Sequence, residues 1–196
     1  MGKIFYLMGK SSSGKDTIFK ELLSDKTLGL QQIVPYTTRP IREGEQDGVE
    51  YYFTDEAGVC TMQEQNRIIE LRVYHTCHGD WKYFTAADDR ICLDRQDYLA
   101  IGTPAAFIKI RDYYGAGKVC PIYIELDDGV RLQRALDREK AQDIPKYEEM
   151  CRRFLADTED FSEEKLKELM LPKRFYNDDL LECTKKIREW IMEQKG

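Results

Sequence analysis

Long apolar runs are missing from this 196-residue chain; no stretch of about 18 consecutive apolar residues occurs, so no membrane-spanning helix is expected. The apolar start from Ile4 to Met8 leads straight into glycine and serine, without the basic and cleavage regions of a secretory leader, and a cytoplasmic location is expected. Six cysteines (Cys60, Cys77, Cys92, Cys120, Cys151, Cys183) show no Cys-x-x-Cys spacing, which reads as buried or idle thiols in a reducing compartment. Histidine is scarce. His75, Cys77 and His78 lie close together, but no second ligand cluster accompanies them and strand neighbours point to opposite faces, so a metal site is not expected there. A cationic excess is also lacking: 30 Lys+Arg against 36 Asp+Glu give a net charge of −6, the wrong sign for coating a nucleic acid polymer. Small anionic ligands need only a local cluster. Internal repeats and low-complexity segments are absent as well. What remains is an ordinary globular composition, 42% hydrophobic and 34% charged, in a chain long enough to enclose a core without disulfides or metal.

Lys3 to Met8 is a short β-branched, aromatic and apolar run of the kind that forms a buried central strand. After it, Ile18, Phe19, Leu22 and Leu23 recur at helical spacing within Lys15 to Ser24. Further strands are expected at Tyr98 to Ile101, Val119 to Leu126 and Arg174 to Tyr176. Helices are expected at Pro104 to Tyr114, Gly129 to Lys140 and Asp178 to Gln194. Strands alternating with helices pair in parallel through right-handed crossovers, which predicts a three-layer α/β sandwich. Two stretches break the alternation. Between Ile33 and Thr85 short strand-like pieces (Tyr51 to Thr54, Ile68 to Tyr74, Trp81 to Thr85) surround turns such as Asp47-Gly48, a small β-rich insertion. Between Glu139 and Asp160 the residues are mostly charged and polar, consistent with a helical flap.

Gly9 to Thr17 reads GKSSSGKDT and fits Gly-x-x-x-x-Gly-Lys between an expected strand and an expected helix. Glycine lets the backbone curl with its amide hydrogens inward, the helix N-terminus adds its dipole, and Lys15 adds a full charge toward the β- and γ-phosphates. Gly9, Ser11, Ser12, Ser13, Gly14, Lys15, Asp16 and Thr17 are therefore the expected ATP cradle, and the fold is expected to be that of a P-loop NTPase. Asp16 stands where a hydroxyl normally follows the lysine, and Thr17 supplies one a residue later; Mg²⁺ is expected to arrive with ATP and to meet Thr17.

A second anion site is expected in TTRPIREGEQDGVEYY. Arg39 and Arg42 lie three residues apart, and planar guanidinium forks match phosphate oxygens. With this segment the chain resembles the guanylate kinases, which phosphorylate GMP. The likeness includes the nucleotide loop, TTRPIREGE with Tyr51, IIEL with Glu70, WKYFT, an Arg-rich flap and YNDDL, in that order.

The resemblance implies that Arg39, Arg42, Tyr51 and Tyr83 hold the GMP phosphate, and that Glu70 and Thr85 read guanine. Arg134, Arg138 and Arg153 are similar to lid arginines that close over ATP, with Arg39, Arg138 and Arg153 joining Lys15 at the reacting phosphates. Asn177 resembles a residue near the adenine ring. Departures are Pro35 or Tyr36 where the family usually has serine, Phe84 for a glycine, Gly102 in a segment usually holding aspartate, and the insertion Cys77 to Trp81. The implied division is core 1–32, GMP-binding insertion 33–85, core 86–138, lid 139–160 and core 161–196, in a monomer or homodimer. The implied reaction forms GDP and ADP. Alternatives are a related P-loop kinase with another phosphorylated acceptor, and a non-catalytic guanylate-kinase-like module that binds phosphopeptides.

Overall fold

The computed structural model describes residues 2–76 and 79–195, so the expectation about Cys77 and His78 lies outside the described residues. The chain runs β1 (Ile4–Gly9), α1 (Lys15–Ser24), β2 (Leu30–Gln32), β3 (Tyr36–Thr37), β4 (Tyr52–Phe53), α2 (Glu56–Glu64), β5 (Ile68–Thr76) and β6 (Gly79–Ala86). There follow β7 (Asp97–Ile101), α3 (Pro104–Tyr114), β8 (Val119–Glu125), α4 (Asp128–Lys140), α5 (Tyr147–Asp160), α6 (Glu163–Glu168), β9 (Arg174–Tyr176) and α7 (Leu180–Lys195).

β1 is buried along its whole length, and its period of two divides the core. Phe5 and Leu7 face α1 and α7, meeting Ile18, Leu22, Ile187 and Trp190. Ile4, Tyr6 and Met8 face the other way, toward Phe107 and Ile110 of α3 and Leu166 of α6. Helices on both faces of one sheet make the three layers. That sheet has the order β2-β7-β1-β8-β9, and every pairing in it is parallel. A central strand covered on both faces reads as an unbroken apolar run, as Ile4 to Met8 does.

The second sheet, of order β4-β3-β6-β5, is built from residues between 36 and 86. β5 and β6 form its long antiparallel hairpin, β3 runs antiparallel to β6, and β4 parallel to β3. One side holds its own small core of Tyr36, Val59, Phe84 and Ala86. α2, absent from the sequence expectation, buries Val59 alone and carries Gly58, so its helical period is faint; Asp55 caps it, accepting from the Gly58 N–H at 2.8 Å. α3 of the first sheet's layer lies against β5, joining the two sheets.

Candidate active site

The loop after β1 curls at two left-handed residues, Ser12 at φ 62° and Gly14 at φ 86°, and α1 begins at Lys15. A Cβ on Gly14 would stand 2.3 Å from Asn177 Nδ2, so the loop needs glycine there for both reasons. Asn177, just beyond β9, is 1% exposed and donates to the Ser13 carbonyl at 2.7 Å, bracing the loop from behind. Ser12 Oγ, Ser13 Oγ and Asn177 Oδ1 are buried without a partner among the described protein groups, two of them on this loop and the third on the residue that braces it. An unpaired buried polar atom costs roughly 1–3 kcal/mol, so three gathered at this turn and its brace fit a ligand that brings its own hydrogen-bonding atoms. The Lys15 ammonium lies 3.2 Å from Asp16, and Thr17 is exposed on the first turn of α1.

Strand pairing builds the second cluster. Glu70 pairs with Thr85, Arg72 with Tyr83, and Tyr83 with Thr37, so all five share one face of the second sheet. Thr85 donates its hydroxyl to Glu70 Oε1 at 2.9 Å, and both residues are buried. Arg72 donates to the same carboxylate, Nε to Oε2 at 3.0 Å and Nη2 to Oε1 at 3.3 Å. Burial, the largest single influence, opposes the Arg72 charge, yet the Glu70 carboxylate together with the Tyr6 and Tyr74 phenols outweighs it and holds the guanidinium's pKa above its ordinary value. Glu70 and Arg72 line a cavity of about 570 Å³ together with Ala105, Ala106 and Lys109 of α3.

Toward the other end of the face the Tyr51 and Tyr83 rings meet edge to face at 5.6 Å, and the Arg39 guanidinium lies 5.1 Å from the Tyr51 ring centre. Arg39 is buried and makes a bidentate pair with Glu45 at 2.6 and 2.7 Å, whose hydrogen bonds push the Glu45 carboxyl down to about 2. Arg42 gives Glu45 its backbone N–H and leaves its side chain exposed. Arg39, Tyr51 and Tyr83 thus gather at one end, and Glu70 and Thr85 at the other.

Arg134 and Arg138 are exposed on α4 and pair with no described carboxylate. Arg153 on α5 shares Glu149 with Arg152, each at 2.7 Å. Two residues that sequence reasoning missed tie these helices to the loop. Arg131, 1% exposed, donates to the Ser11 carbonyl at 2.9 Å and to Asp128 at 2.7 Å, with its guanidinium 4.7 Å from the Phe154 ring centre. Asp157 of α5 accepts from the Ser11 N–H at 2.7 Å and lies 3.6 Å from Arg131. The position of Arg131 one helical turn before Arg134 was the available signal for the first; Asp157 carries none in a polar segment.

Comparison with known proteins agrees with this geometry. A family model described as Guanylate kinase matches residues 1–82. A guanylate kinase of Rhodopseudomonas palustris is 39% identical over 79 residues, 40% of this chain and 36% of that one. The guanylate kinase of Porphyromonas gingivalis is 27% identical over 195 residues, 98% of each chain. In fold, the crystal structure of a guanylate kinase from Anaplasma phagocytophilum matches with a TM-score of 0.69 at 18% identity, covering 98% of this chain and 86% of that one. Over its first 82 residues the chain matches the guanylate kinase family model, and along nearly its whole length it is similar to a guanylate kinase.

Its departures from the guanylate kinase pattern have physical accounts. Phe84 lies between Tyr83 and Thr85 in sequence but, by the strand's period of two, faces the opposite side, where it is fully buried and stacks on Tyr36 at 5.1 Å. Tyr36 turns its hydroxyl to Asp88 at 2.7 Å. Burial, then that hydrogen bond, pushes the Tyr36 phenol up to about 12. Gly102 is required by packing, since a Cβ there would fall 2.1 Å from the Tyr6 hydroxyl. Arg72, two residues after Glu70 on the same face of β5, is a further residue that sequence reasoning gave no role, although the strand's period of two places its guanidinium beside the Glu70 carboxylate.

Proposed function

We propose that the chain transfers the γ-phosphoryl group of ATP to GMP, giving ADP and GDP. The observation that carries this reading is the coexistence of a backbone anion cradle ending in Lys15 with a second face that gathers Arg39, Tyr51 and Tyr83 at one end and a buried carboxylate–hydroxyl pair at the other. In this reading Gly9, Ser11, Ser12, Ser13, Gly14, Lys15, Asp16 and Thr17 hold the ATP phosphates. Arg39, Arg42, Tyr51 and Tyr83 hold the GMP phosphate, and Glu70 with Thr85 reads the base. Asn177 acts on ATP through its grip on Ser13, and Arg134, Arg138 and Arg153 add charge from α4 and α5.

A phosphate monoester has its second pKa near ~6, so GMP is a dianion at pH 7 and attacks without a general base. The obstacle is repulsion between two polyanions. Lys15 and the arginines lower it by supplying positive charge where the transferring group gains negative charge, and alignment of the two sites supplies the rest. Approach of α4 and α5 excludes water, protecting ATP from hydrolysis. Among the described residues no group of three His, Cys, Asp or Glu side chains could hold a metal by itself. The Thr17 hydroxyl at the start of α1 is the kind of hard oxygen that suits Mg²⁺ carried largely by water and phosphate oxygens. Bound there, Mg²⁺ supplies charge neutralisation to the ATP phosphates. A coupled ADP-release assay over GMP, AMP, dUMP and ribose bisphosphate tests the reading; GMP is expected to be preferred, and turnover with another acceptor alone overturns it.

A further inference from the structure

Glu70 does not face the acceptor cavity as a free carboxylate. Its Oε1 accepts from both the Thr85 hydroxyl and Arg72 Nη2, and its Oε2 accepts from Arg72 Nε. A carboxylate oxygen offers about two lone-pair directions, so Oε1 is filled and Oε2 keeps one. Arg72 has spent two of its roughly five N–H donors and turns a part-exposed guanidinium into the same cavity. The wall therefore shows one acceptor next to several donors.

We infer that Arg72 is a specificity-determining residue that makes this a reader of 6-oxopurine nucleoside monophosphates, GMP and IMP alike, with Arg72 donating to O6 and Glu70 Oε2 accepting from N1–H. The inference rests on the proposed kinase reading for the placement of the base. Both 6-oxopurines carry an O6 acceptor beside an N1–H donor, which complements the wall. Adenine reverses the pair, setting its N6 amino group against the guanidinium and its unprotonated N1 against the carboxylate. The 2-amino group of guanine finds no vacant Glu70 lone pair, so it adds little. Leaving donors or acceptors unmatched in a buried site is what produces large discrimination.

The test is calorimetric binding of GMP, IMP and AMP to the full chain, with ADP release measured separately. IMP is expected to bind within tenfold of GMP, and AMP at least 100-fold more weakly than either. In Arg72→Gln the gap between GMP and AMP is expected to shrink at least tenfold, with ATP affinity unchanged. IMP more than tenfold weaker than GMP overturns the inference, as does an unaltered gap in a folded Arg72→Gln, which a merely structural role would give by weakening all three acceptors alike. If Arg72→Gln does not fold, Arg72→Lys keeps the charge without the planar fork and is read by the same gap. Absence of ADP release with this binding pattern intact overturns phosphoryl transfer and leaves the inference standing.

Discussion

Lys15 and Arg42 differ in what surrounds them, and that decides how each variant behaves. Lys15 ends the cradle with its ammonium against exposed Asp16, a contact that solvent screens and that phosphate oxygens replace. Lys15→Ala is expected to lower kcat by roughly 100-fold or more with the melting temperature little changed, because only stabilisation at the transferring phosphate is lost. Arg42 is exposed and makes no side-chain contact that the fold depends on, whereas Arg39 is buried against Glu45. Arg42→Ala is therefore expected to raise KM for GMP about tenfold or more, the worth of one charge-assisted hydrogen bond, while KM for ATP and the unfolding curve stay put. Initial-rate kinetics with each substrate varied checks both. The two arginines looked equivalent in sequence, three residues apart in one loop; burial separates them.

At the scale of elements, the strand-to-helix turn is held by shape as much as by charge. Gly14→Ala places a side chain at φ 86° against the Asn177 amide, and is expected to cost about 1–2 kcal/mol of stability and to weaken ATP binding together. Chemical denaturation and an ATP titration of the variant read the two effects. The loop between β3 and β4 depends instead on the Arg39–Glu45 pair. Glu45 has its carboxyl lowered to about 2 from 4.5, so the stability it contributes is complete above about pH 4.5 and is lost as pH falls toward 2. Glu149, lowered to about 2 by the Arg152 hydrogen bond and then that of Arg153, acts in the same window on α5. Denaturation free energy is expected to be flat between pH 7 and 5 and to fall below pH 4.5, and Glu45→Gln to flatten part of that slope. The long strands and helices were legible because their periods are strong. β3, with two residues, and α2, burying Val59 alone, were not, since so short or shallow an element exists only through its neighbours.

Across the whole molecule, α3 lies against the β5–β6 hairpin and α5 reaches the loop through Asp157, so both segments added to the five-stranded sheet touch the frame that carries Lys15. Ligands that engage both sites stabilise the folded chain by mass action. ATP or GMP at about 100 times its dissociation constant adds about 2.7 kcal/mol, which for a chain of this size raises the melting temperature by about 5–10 °C. A thermal shift with each nucleotide alone measures it, and no shift with either would contradict a two-site molecule. Local order in the chain was enough to determine the Gly-x-x-x-x-Gly-Lys turn, the parallel sheet and the arginine-bearing insertion, because backbone curvature, apolar periodicity and fixed spacing act between near neighbours. Only the tertiary structure decided that Phe84 turns away from the face that carries Tyr83 and Thr85, that Asn177 and Arg131 brace the loop from segments more than 100 residues distant, and that Arg72 claims half of the Glu70 carboxylate. Those outcomes depend on which strand lies beside which and in what register, and long-range pairing of that kind leaves no periodic trace in the order of residues.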